Sequence, residues 1–223
     1  MRLSIKWLRQ YVHFRISPED LGQRLTSVGL EVESIEHLGK VFDGFVVGEV
    51  MRVRKHANAD KLTVCEVEVQ RKDTSPASVL QIVCGAPNVQ KGQKVAVGLI
   101  GAVVPKNQHD PEAKPFVLSK LKVRGEESNG MICSEYELGL GTDANGILVL
   151  DETTNVGTPL AEYFGLNDIV FEIGVTPNRP DCLSHIGIAR EVAAILRKKL
   201  AIPKPKIREE KKSNIKESIS IKI

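Results

Sequence analysis

Two stretches of this chain set basic side chains on alternate positions. In one, Arg52, Arg54 and His56 have Val53 and Lys55 between them. In the other, Lys120, Lys122 and Arg124 are separated by Leu121 and Val123. Alternate residues of an extended strand leave from one face, so each stretch offers a row of cations suited to phosphate oxygens. If the two strands adjoin, the rows merge into a patch for a nucleic-acid backbone; apart, each is an ordinary solvated sheet face. Between His56 and Lys61 lies Ala57-Asn58-Ala59-Asp60. His56 and Asp60 have a four-residue spacing that could suit a metal, but Asn58 and Lys61 fit a turn and a phosphate contact better.

Other reactive side chains lack the company that chemistry needs. Cys133-Ser134-Glu135 has no histidine motif beside it and so reads as structure, not as a nucleophile. No P-loop, no GxGxxG after a strand and no HExxH occurs. Gly85-Ala86-Pro87-Asn88 is a turn that offers only a weak backbone phosphate site. Asn178-Arg179-Pro180-Asp181 reads either as a functional loop or as a self-satisfied turn, with Arg179 paired to Asp181 or to a backbone carbonyl. The expected catalytic, cofactor-binding and metal-ligand sets of this chain are therefore empty.

The elements that must hold these residues follow from period and punctuation. Ser4 can cap IKWLRQYV. Ser17-Pro18-Glu19-Asp20 is a helix start, Leu21, Leu25 and Val28 then share a face, and Gly29 is placed to end the helix. LEVESIEHL alternates like a half-buried strand. From Phe45 to Leu150 the runs FVVGEVMRVRKH, KLTVCEVEV, VLQIVCG, KVAVGLIGAVV, FVLSKLKVRG and GILVL are short strands, and SNGMICSEYELGL is expected as a helix capped by Ser128. Five or six strands in about 105 residues suit a small closed barrel of the OB type. Helical and strand patterns return after Asp151: Thr158-Pro159 opens a short helix, DIVFEIGV alternates, and Ser184 precedes a helix with a stripe of Ile188, Val192 and Ile195.

The expected fold class is α+β, a small split α/β domain with an inserted OB-fold barrel. Residues 1–40 with 152–200 form the discontinuous domain and residues 41–151 the barrel. Residues 201–223 form a linker and, in ESISIKI, the first strand of a following domain.

Charge is distributed unevenly. Residues 41–150 carry 13 basic and 13 acidic side chains, residues 151–196 carry 2 and 7, and residues 197–223 carry 10 and 3. Any polyanion partner of the middle segment must therefore be held by local patches and not by bulk charge. Only Phe42, Phe45, Phe116 and Tyr136 are aromatic between residues 41 and 150, too few for a base-stacking single-strand grip. The expectation is weak, shape-and-backbone binding of folded RNA. Cys65, Cys84, Cys133 and Cys182 form no CxxC pair; with Val64, Val83 and Ile132 as neighbours, three read as buried thiols of a reducing cytoplasm. No apolar run reaches the roughly 20 residues of a membrane span. The charged start MRLSIKWLRQYV is not a signal peptide.

Three segments carry a resemblance. KHANADKL, LQIVCGAPNVQKGQKVAVGLIGAVVP and LKVRGEESNGMICSEYELGL resemble the EMAP II-like tRNA-binding OB module. Ala57 stands where that module usually has Pro, and KNQHDPEAKP (106–115) is a loop outside its recognisable motif. The flanks MRLSIKWLRQYV with GLEVE, and VTPNRPDCLSHIGIAREVAAI, resemble the bacterial-type phenylalanyl-tRNA synthetase beta-subunit family. The resemblance implies tRNA as partner, with Arg52, Arg54, Lys55, His56, Asn58, Lys61, Lys120, Lys122, Arg124, Ser128 and Asn129 as candidate contacts. It further implies an alpha subunit as partner in an assembly of two alpha and two beta chains. ATP and magnesium would be used in the full enzyme, and the editing and anticodon-binding domains would lie beyond this chain. The alternative is a stand-alone EMAP II-like tRNA-binding or protein-interaction module.

Overall fold

The protein is described by a computed structural model, covering residues 1–69, 78–206 and 219–220. Most of the linker and strand expected over 201–223 lies outside the described residues. The chain begins with β1 (Arg2–Ser4), α1 (Ile5–Leu8), α2 (Pro18–Ser27), β2 (Glu31–His37) and a 3-10 turn (Leu38–Phe42). Ten strands follow: β3 (Phe45–His56), β4 (Ala59–Val69), β5 (Ser78–Cys84), β6 (Lys94–Gly98), β7 (Val103–Val104), β8 (Phe116–Val117), β9 (Leu121–Val123), β10 (Glu126–Ser128), β11 (Met131–Ile132) and β12 (Val149–Leu150). It closes with α3 (Leu160–Tyr163), β13 (Ile169–Gly174), a 3-10 turn (Pro180–Cys182) and α4 (His185–Ile195). Two compact units result, Met1–Ile35 with Phe171–Ile223, and Glu36–Val170.

The first unit is built around helix caps and a three-stranded sheet ordered β1-β13-β2. The Ser4 hydroxyl accepts from Trp7 N at 2.9 Å and that of Ser17 from Asp20 N at 3.1 Å, so both expected caps form. Leu21 and Leu25 are buried, but Val28 is 45% exposed. It leaves the expected face because it is the capping residue, already out of helical geometry. Leu30 takes its place: Leu30 N reaches back to Leu25 O across Gly29, whose φ of +90° allows the reversal. In α4, Ser184 caps Gly187 N at 3.1 Å, while Ile188, Ala189, Val192 and Ala193 are buried.

The second unit holds a six-stranded antiparallel sheet in the order β11-β6-β3-β4-β5, with β12 also paired to β6. Strand β6 is buried on both faces. Val95 and Val97 join Val50, Cys65, Val67 and Ile82 in one core; Ala96 between them joins Phe45, Val47, Leu118, Cys133 and Leu160 in another. That is why the runs read as nearly continuous apolar residues. The ladder path among the described residues ends at β5 and β11. Single bonds outside the ladder cross that gap: Asn129 N to Gln81 O at 2.8 Å, Gln81 Nε2 to Glu127 O at 2.9 Å and Val83 N to the Ser128 hydroxyl at 3.1 Å.

The helix expected over SNGMICSEYELGL is not formed. Gly130, at φ +156°, runs so close to β6 that a side chain would meet the Gly98 carbonyl at 2.8 Å. Met131 and Ile132 then pair with β6. The helix-start signal is real but acts six residues later, at Ser134, and closes one turn only. Ser134 and Glu137 cap one another there, with Glu137 N donating to the Ser134 hydroxyl and Ser134 N to Glu137 Oε2.

Candidate nucleic-acid interface

The position of the basic rows depends on a bulge. In the β3–β4 ladder Val50 faces Val67 while Arg52 faces Glu66, so Met51 is an extra residue on β3. Strict alternation would put Val50, Arg52 and Arg54 on one face. The bulge lets Val50 enter the core and turns Arg52 and Arg54 outward.

Among the described residues strand β9 pairs only with β10, through the two-residue turn Arg124-Gly125 in which both residues have positive φ (+48° and +100°). The two basic rows therefore do not share a ladder. They meet through side chains. His56, 5% exposed, places Nε2 3.0 Å from the Val123 carbonyl and accepts Asn58 N on Nδ1 at 3.0 Å. The carbonyl has no proton, so Nε2 carries the hydrogen and the ring is neutral. Asn58 Nδ2 adds a bond to Arg124 O at 3.2 Å. These bonds clasp the tip of the β3–β4 hairpin to the tip of the β9–β10 hairpin.

Acidic neighbours neutralise much of the basic surface. Arg54 makes a two-pronged pair with Glu126, at 3.0 and 2.8 Å, which raises the guanidinium pKa and lowers that of the carboxyl. Lys120 sits 2.8 Å from Glu127 and holds its carboxyl below the usual range. Arg52 stands 3.7 Å from Glu66. Lys55, Lys61, Lys122 and Arg124 are exposed and have no ion-pair partner among the described residues. They occupy the two clasped tips.

The remaining candidates divide by role. His56 is buried in the clasp, and the Ser128 hydroxyl is consumed between Val83 N and Gly130 O. The Asn129 backbone bonds Gln81, leaving its amide side chain at the surface of the same strip. Sequence reasoning missed Glu126 and Glu127 as internal counterions. Their signal was present, because a two-residue turn at Arg124-Gly125 sets Glu127 opposite Lys122 in register.

Elsewhere the reactive groups are structural. Burial pushes the Cys84 and Cys182 thiols up to about 11 and Cys133 higher still, so none is a thiolate near neutral pH. Asp181, Cys182 and Glu191 bring three potential ligand atoms within 4.8 Å of one another. The Arg179 guanidinium already serves as their cation, 2.9 Å from Asp181 and from Glu191 and 3.0 Å from the Cys182 sulfur. No helix among the described residues is long and apolar enough to cross a membrane.

Curated relatives resemble nearly the whole chain. It is 47% identical over 210 residues to the phenylalanine–tRNA ligase beta subunit of Salinibacter ruber, covering 91% of this chain and 25% of that protein. With the subunit of the same name from Syntrophus aciditrophicus it shares 42% over 223 residues, all of this chain and 26% of the relative. The chain thus spans about a quarter of the length of the relatives it matches. Among solved structures, the C-terminal domain of Plasmodium vivax p43 overlaps 51% of this chain and 56% of its own at 21% identity and a TM-score of 0.33, too distant to carry an argument. The family profile described as "Putative tRNA binding domain" matches residues 45–159, the segment that holds both clasped hairpins and all eleven candidate contacts, and the chain belongs to that family.

Proposed function

We propose that this chain is the N-terminal part of a phenylalanine–tRNA ligase beta subunit, non-catalytic in itself, which contributes tRNA binding and subunit architecture. The observation that carries the RNA reading is the clasp, which gathers Lys55, Lys61, Lys122 and Arg124, none in an ion pair among the described residues, at two adjoining hairpin tips. Four cations on mobile stems at rigid backbone positions suit contact with phosphates without reading sequence. In this proposal the second compact unit is an OB-type domain inserted into a discontinuous α/β domain. The full enzyme would act in the cytoplasm with an alpha subunit, two of each, and would use ATP and magnesium outside this chain.

The test is tRNA binding across a salt series, in the chain as it stands and after truncation at Leu200, since the strongly basic tail could bind RNA by itself. Four phosphate contacts give a slope of log affinity against log salt near −3, at roughly 0.7–0.9 per phosphate. Changing Lys122 and Arg124 to Ala in the truncated chain should flatten the slope by about 1.5. Lys120→Ala should do less, because Glu127 already engages that ammonium. Binding that vanishes on truncation and ignores the tip changes would make the domain an architectural spacer.

A further inference from the structure

A groove of about 420 Å³ opens in the second unit beside the clasped hairpins. Leu62, Pro87, Phe116, Leu121 and Met131 contribute apolar walls, and Glu137 lines it together with the polar Gln108, His109, Ser119 and Asn145. Glu137 is only 4% exposed. Its Oε2 accepts from Ser134 N at 2.7 Å and from the Ser134 hydroxyl at 2.8 Å, whereas Oε1 has no donor among the described residues. No fully buried side-chain oxygen among the described residues lacks a partner, so Oε1 keeps some contact with solvent, and Glu137 is among the residues that line the groove. No cation pairs with this carboxylate among the described residues.

The rim has the opposite character. Leu121 and Val123 line the groove from β9, while Lys122 between them and Arg124 in the turn beyond are exposed; Leu62 lines the groove next to exposed Lys61. Cations near the groove, apolar walls and a carboxylate among the lining side chains complement a nucleotide, whose phosphate is anionic and whose base is flat and carries amine hydrogens. We infer that the groove takes one unstacked nucleobase bearing an exocyclic amine, which donates to Glu137 Oε1. The inference rests on the RNA-binding reading above. Cytosine meets the requirement with its N4 amine. Uracil does not, since its one edge N–H is flanked by carbonyls that a carboxylate repels.

The experiment compares short fluorescent oligocytidylate and oligouridylate on the 223-residue chain, with tRNA as reference and with Glu137→Gln as the variant. Glutamine can keep both Ser134 bonds through its carbonyl and turn an amide N–H toward the groove, so the turn should persist while the groove's acceptor becomes a donor. The expected result is about tenfold tighter binding of oligocytidylate by the unchanged chain, as one hydrogen bond to a charged group provides. Glu137→Gln should abolish or reverse that preference at an unchanged melting temperature and salt slope. Equal affinity for the two oligomers, or a preference that survives Glu137→Gln, overturns the base pocket and leaves tRNA binding standing. Absence of binding to tRNA and to both oligomers overturns the RNA reading and the pocket with it.

Discussion

At the scale of single residues, the interface is shaped as much by acids as by bases. Alternation groups Arg52 with Arg54 and Lys120 with Lys122, but it is silent on which cations are already engaged. Glu126 and Glu127 come from the return strand of a hairpin, and a pattern that reads one strand at a time does not see them. His56 has a polar type and a structural occupation, since both ring nitrogens are spent on the clasp. The same distinction governs Arg179, whose partner Asp181 was legible from the turn while Glu191 was not, because α4 supplies it. That pair makes a pH-dependent contribution. Arg179 lowers the Asp181 carboxyl from 3.8 to about 2. A depressed folded-state value means stabilisation present above the unfolded value of about 4 and lost as pH falls through about 2. Thermal melts should therefore show Asp181→Asn less stable than the unchanged protein at pH 7, with the gap closing between pH 4 and pH 2. A gap constant across that window would mean that the aspartate acts through packing alone.

At the scale of elements, strands and caps were legible and the exceptions have physical causes. The bounds of β3 follow from the run FVVGEVMRVRKH because apolar β-branched residues and the polar turn after it agree. The bulge inside it is invisible to pattern, since Met51 suits either face. The expected helix after Ser128 failed because pairing with β6 outweighed a local capping signal, which survived as a single turn. The bulge makes a sharp prediction. Deleting Met51 makes Val50 and Arg52 neighbours in a regular strand, so simple alternation keeps Val50 inward and Arg52 and Arg54 outward. Such a protein should still melt cooperatively by circular dichroism, as should Met51→Ala. Loss of the cooperative melt on deletion alone would show that the sheet needs the bend and twist of the bulge and not only the facing it sets.

At the scale of the molecule, the change of hydrophobic period in the sequence separates kinds of element, while the compact units are set by the cores those elements join. The compact units divide at 35/36 and 170/171, because Phe42 and Leu160 belong to the core built on Phe45 and Val47. Sequence pattern reports the type of an element, not the core it joins. The second unit has two cores of its own, so residues 36–170 expressed alone should unfold in one cooperative transition; a broad, non-cooperative melt would show that it needs the flanking segments.

Near its two ends, Leu38 N donates to Asp168 O at 3.1 Å. A floppy excursion of that many residues would burden its host with roughly 4 kcal/mol of loop-closure entropy. Here the excursion closes itself, and the host chain meets little more than a short splice. A module with that property can be moved between unrelated chains, lengthened at its outer loops or removed altogether, and the protein that carries it need not be redesigned to receive it.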